Sequence, residues 1–145
     1  MESSLAEARA RLVALRGAPL RARSGTWTAG QVLAHCAESI DCSIRGFPSE
    51  RSRLFQATIG RLVLAVFFAR GALRHDRNAT IPGAAEPPEL ATDAGLERLI
   101  AAIDVLAAAP EPLARHAVFG AMTRAEYERY HAMHVADHLG ELEKT

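Results

Sequence analysis

The stretch "TRAEYERYHAMHVADHLGEL", residues 123–142, decides the fold class. Its apolar and aromatic positions recur at helical rather than alternating spacing. Thr123 and Glu126 stand in capping-box relation and mark the start of a helix running to about 142. At about 100° per residue, His131, His134 and His138 fall within an arc of roughly 60°, and Tyr127, Val135 and Leu142 share that sector. The histidines therefore lie on the side that should face the interior.

The same period extends through the rest of the chain. Leu5, Ala8, Leu12 and Leu15 outline a first helix, stopped by Gly17 and Pro19, and the basic linker "LRARSG" follows. A second helix begins near Trp27, with Thr28 and Gln31 as another capping box. It carries Leu33, Cys36, Ala37, Ile40 and Ile44 on one side and ends at "GFP", 46–48. A third covers about 51–74, and a fourth, about 92–108, repeats Leu96, Leu99, Ile100, Ile103 and Leu106. Between them "RNATIPGAAEPPELAT", 77–92, is irregular and rich in Pro and Gly; "APEP" breaks the fourth helix, and "RHAVFGAM", 115–122, reads as a loop. No segment alternates as a strand would. The expectation is an all-α chain: one domain over 1–145, a four-helix bundle with one additional helix.

Composition narrows the partners. The 17 basic and 17 acidic residues cancel, and the arginines are scattered, so no nucleic-acid partner is expected. "LVLAVFFA", 62–69, is far short of the ~20 residues a membrane span needs, so no membrane partner is expected. The N-terminal "MESSLAEARARL" has no apolar signal-peptide core, and Cys36 and Cys42 sit six apart on one helix, too far to bridge. Both point to reduced thiols in the cytoplasm, where the sequon at Asn78 would be chance. Cys36 falls on the apolar side of its helix and reads as a small buried hydrophobe.

His134 and His138, four apart, can aim both imidazoles at one ion. An i, i+4 pair alone is weak, since such histidines are commonly exposed or simply packed. Several imidazoles on an inward face are harder to explain as packing, because each needs a partner once desolvated. Two ligands do not complete a catalytic site, which typically has three and an open position. His75, beside Arg74, Asp76 and Arg77, reads as solvated, and His116 lies in a loop. His35 can reach inward from the second helix, although it sits off the centre of that helix's apolar arc, beside Val32 and Ser39, where a surface histidine is an alternative. "HVADH" has Val135 where a zincin places its catalytic Glu, which disfavours peptidase activity.

The segments "WTAGQVLAHCAES" and "HVADHLGEL" together resemble the DinB/YfiT-like superfamily of proposed metalloenzymes. There a Trp heads the second helix ahead of a ligand His, and the final helix carries an HxxxH pair. "HAVFGAMTRAEYERY", 116–130, is further similar to the "HPxFGxLTxxEW" stretch of a branch known only as a domain of unknown function, with Ala117 in place of Pro and Tyr127 in place of Trp. The resemblance implies an up-down-down-up bundle with a divalent metal (Zn, Ni or Fe) on His35, His134 and His138. It also implies a small-molecule substrate and a low-molecular-weight thiol, in an S-transferase or hydrolase reaction. His131 is not among the implied ligands and is expected to orient one or touch substrate. Trp27, Tyr127 and Glu141 are the other candidates for the pocket or the ligands' surroundings. For Glu141, Asp137 and Glu38 individually a solvated helix flank is the default. Two other readings stand beside the enzyme. One is a non-catalytic bundle that binds a small molecule or a stress-response partner, as a homodimer through the third helix. The other is a storage or structural metal site closed by His131.

Overall fold

The computed structural model describes residues 4–23, 25–73 and 79–145; the expectations for His75 and Asn78 fall outside them. Three helices begin in full capping boxes: α1 (Leu5–Ala14) on Ser4 and Glu7, α2 (Ala29–Arg45) on Thr28 and Gln31, and α6 (Arg124–Leu139) on Thr123 and Glu126. In each, the cap hydroxyl accepts the N–H three residues on, and that residue's side chain accepts the cap's own N–H. The Gln31 amide also donates to Pro87 O at 3.0 Å, tying the start of α2 to the irregular segment.

The third helix is less regular than its sequence suggests. A single turn α3 (Arg53–Phe55) passes into a π-helical segment, Gln56–Gly60, and then into α4 (Arg61–Arg70), with right-handed backbone at each junction. It ends at Arg70, not at 74, because Gly71 adopts the left-handed conformation (φ 68°). Its apolar residues wrap the rod: Leu64 is buried, whereas Leu54, Ile59 and Leu62 are exposed.

Helix α5 (Thr92–Ala108) lies closest to α2. Glycines permit this: a Cβ on Gly30 would stand 1.8 Å from Leu90 O, just ahead of α5, and one on Gly95 would stand 3.1 Å from Gly30 O. The main core lies among α1, α2, α5 and α6, built on Leu12, Leu33, Ile40, Leu96, Leu99, Leu106 and Val135. A smaller cluster joins Leu64 to Phe119, Met122 and Tyr127.

The all-α expectation needs one correction. The chain is mostly helical, but β1 (Leu20–Ala22) pairs antiparallel with β2 (Leu142–Lys144), in register Leu20↔Lys144, Arg21↔Glu143 and Ala22↔Leu142. The last helix accordingly stops at Leu139, and Leu142 belongs to a strand instead of a helix face. Arg23 N–H donates to Glu141 O at 2.7 Å and Thr145 N–H to Pro19 O at 2.9 Å, extending the pairing at both ends. Three-residue strands are too short to display alternation, and Leu142 fits the helical sector equally well. Among the described residues no helix is long and apolar enough to cross a membrane.

Candidate metal centre

The capping box at Thr28 starts α2 where Trp27 and His35 face the interior together, their ring centroids 5.0 Å apart. His35 is not a surface residue. It is 4 % exposed, because every residue from Ala29 to Ala37 is buried and this part of α2 has no solvent side. Opposite it, α6 presents His134 and His138 one turn apart. The three rings form a triangle with centroid separations of 5.2, 5.0 and 4.7 Å, each pair edge to face. One ligand nitrogen from each ring lies within 4.8 Å of the other two. These three buried histidines could hold a metal ion.

The donor set fits such an ion. Around a tetrahedral centre, nitrogens ~2.0–2.1 Å from the metal lie roughly 3.3 Å apart. Closing from 4.8 Å or less therefore takes shifts of about 1.5 Å at most, within reach of small side-chain rotations. Glu141 supports the fit. Its carboxylate lies 2.6 Å from His138 Nδ1 and is buried with it. A carboxylate accepts, so Nδ1 donates and Nε2 keeps the lone pair that a metal requires. Glu141 is thus not a solvated flank. The strand pairing that accepts through its backbone carbonyl also holds it beside His138. Glu38, by contrast, is half-buried and faces Arg98 at 3.7 Å.

His131 stands outside the triangle. It is fully buried, and its Nε2 lies 2.6 Å from Ser43 Oγ, which lies 3.3 Å from Ser39 O. One chain of donors satisfies both contacts: Nε2–H to the hydroxyl, and the hydroxyl to the carbonyl. His131 Nδ1 then carries a bare lone pair and has no hydrogen-bond partner, which costs less than a bare buried N–H. Burial, reinforced by His116, lowers its pKa to about 3, so the ring stays neutral. Tyr127 stacks parallel on His131 at 5.7 Å and donates its hydroxyl to Ala114 O at 2.6 Å, so it supports this second row of residues.

Two residues that the sequence did not single out complete the surroundings. Tyr130 lies parallel to His134 at 5.9 Å and edge-on to His131 and His116. His116, left above as a loop residue, is buried and stacked on Phe119 at 4.3 Å, and its Nδ1 accepts the backbone N–H groups of Val118 (3.0 Å) and Phe119 (3.2 Å). Burial lowers its pKa to about 3. The available signal for Tyr130 was its i, i+4 spacing to His134; for His116 it was its place at the head of "HAVFGAM", the segment similar to "HPxFGxL". Cys36 is packed in the main core, and burial raises its thiol pKa well above the usual range, followed in effect by Glu141 and Asp137. It remains a protonated thiol.

The fold and the histidine triangle define a mostly helical protein with a candidate metal-binding cluster. The chain belongs to the family described as protein of unknown function (DUF1569), whose profile matches residues 2–145. No curated protein matches the chain, and no solved structure does.

Proposed function

We propose that this chain is a metal-dependent enzyme of the DinB/YfiT-like type, a single up-down-down-up bundle over 1–145. In this reading His35, His134 and His138 hold one divalent ion, Zn, Ni or Fe. The observation that carries the reading is the triangle of buried imidazoles with donor atoms within 4.8 Å, one of them backed by a buried carboxylate. A bound ion would supply Lewis acidity, lowering the pKa of a thiol or water and so giving a nucleophile at neutral pH. The chain's own residues do the rest. Glu141 fixes the tautomer and orientation of His138. Trp27 and Tyr130 hold the ring planes of His35 and His134. His131, bonded to Ser43, stays apart from the ligands, which favours a three-histidine site with a position left for substrate over a closed four-histidine one. The reaction proposed is transfer from a low-molecular-weight thiol to a small molecule, or hydrolysis of one.

Metal content after purification without a polyhistidine tag tests this reading. Near-stoichiometric divalent metal is expected in the wild type, with loss of most of it in His138→Ala. Absence of metal from the wild type after reconstitution above pH 7, where free imidazoles are mostly neutral, would remove the site and the enzyme with it.

A further inference from the structure

Beside the triangle lies a cavity of about 320 Å³, bordered by His35 and His134 and walled by Phe47, Phe67, Phe119 and Tyr130. Among the described residues, no Asp, Glu, Lys or Arg lines it. Its polar side-chain contributions are the hydroxyls of Ser39, Thr80 and Tyr130 and the imidazoles, including His116. The volume is about twice that of a ~150 Å³ apolar cavity that takes up benzene, and it falls within the range of small-molecule sites.

Away from the triangle, where a bound ion would stand, an anion would lose its hydration and meet no cationic side chain among the described residues, an expensive exchange. His116 does not supply the charge. Its Nδ1 accepts two backbone N–H groups, so the ring proton sits on Nε2 of a neutral imidazole. That Nε2–H is the donor His116 can offer a ligand.

We infer that this cavity binds an uncharged molecule with an apolar ring and one carbonyl-type oxygen, the ring among Phe47, Phe67 and Phe119 and the oxygen on His116 Nε2–H. It names the substrate class of the proposed enzyme and rests on that reading only for what happens at the triangle. Binding itself requires no metal.

The test uses chelator-stripped full-length protein, acetophenone as probe, benzoate as its charged counterpart and toluene as the ring without the oxygen, all by calorimetry. Acetophenone is expected to bind at least tenfold more tightly than benzoate and several-fold more tightly than toluene. Val63→Trp, which fills the cavity from α4, should abolish acetophenone binding while leaving the thermal melt within a few degrees of wild type. If Val63→Trp unfolds the chain, competition by a larger ketone, benzophenone, replaces it, and failure to displace acetophenone counts against the inference. Benzoate binding as tightly as acetophenone, or no binding of acetophenone at its solubility limit, overturns it. Toluene binding as tightly as acetophenone overturns the His116 contact. A protein that takes up no metal yet binds acetophenone refutes the metal reading alone, and one that takes up metal but does not bind acetophenone refutes this inference alone.

Discussion

Glu141 is the side chain on which the site depends most after its three histidines. It lies at 2.6 Å from His138 Nδ1, with both residues almost fully buried. Removing a carboxylate behind a ligand imidazole frees the ring to rotate and lowers its basicity, which typically weakens metal binding about 10–100-fold. Glu141→Ala should therefore weaken metal binding by that order in a competition with a chromogenic chelator. It should also cost about 1–3 kcal/mol of stability, because the buried His138 Nδ1–H loses its carboxylate partner. Unchanged affinity would mean that Glu141 serves packing only. The sequence read His134 and His138 correctly as inward-facing, because the apolar side of α6 is well defined. It left His35 open between interior and surface, because a helix buried all round has no arc from which to judge. It offered Glu141 as a candidate beside the ligands but took a solvated flank as the default, because its burial goes with the pairing of Leu20–Ala22 and Leu142–Lys144, which no local pattern records.

The helical elements were largely legible: three capping boxes and a regular apolar period are local signals, and α1, α2, α5 and α6 all lie where that period runs. What the sequence hid was local irregularity. The π segment Gln56–Gly60 interrupts an otherwise continuous rod and has no composition of its own. Within it Gln56 is buried, and its amide donates to the carbonyls of His116 and Ala117 at 3.2 and 3.3 Å while accepting from Arg115 Nη2 at 2.6 Å. One side chain thus clasps the loop that carries His116, and π turns are frequent where a helix must present a residue out of its ordinary phase. Gln56→Leu keeps the approximate volume and loses these bonds: the buried end of Arg115 loses its acceptor, while the carbonyls of His116 and Ala117 keep only the N–H groups of Gly120 and Arg51. A loss of about 1–3 kcal/mol is expected in urea denaturation, together with faster amide exchange over 115–120. A variant as stable as wild type, with no change in exchange there, would show that the loop holds itself.

Among the described residues two neutral imidazoles lie in the interior besides the metal triangle, and they shape the molecule's response to acid. His116 and His131 each have a pKa near 3 in the folded chain, chiefly through burial, against about 6.5 when unfolded. The folded state therefore binds fewer protons than the unfolded one between these values, so stability rises with pH in that window. The contribution is fully present above about 6.5 and is lost as pH falls toward 3. Well inside the window each histidine adds a slope of about 1.4 kcal/mol per pH unit, roughly 2.7 for the pair. The exposed carboxylates Glu97 and Asp104, held down chiefly by hydrogen bonds from Arg16 and Arg9, act only below their ordinary range near 4, whereas Glu38, raised chiefly by burial, opposes the two histidines at the acid end of their window. In the presence of chelator, to keep metal release out of the balance, the urea midpoint should be level from pH 8 to 7 and fall by pH 5. His116→Gln, which removes one of the two rings held near 3, should make that fall shallower. A midpoint that holds steady from pH 7.5 to 5 would mean that both imidazoles accept protons in place, and the neutral interior described for them would be wrong.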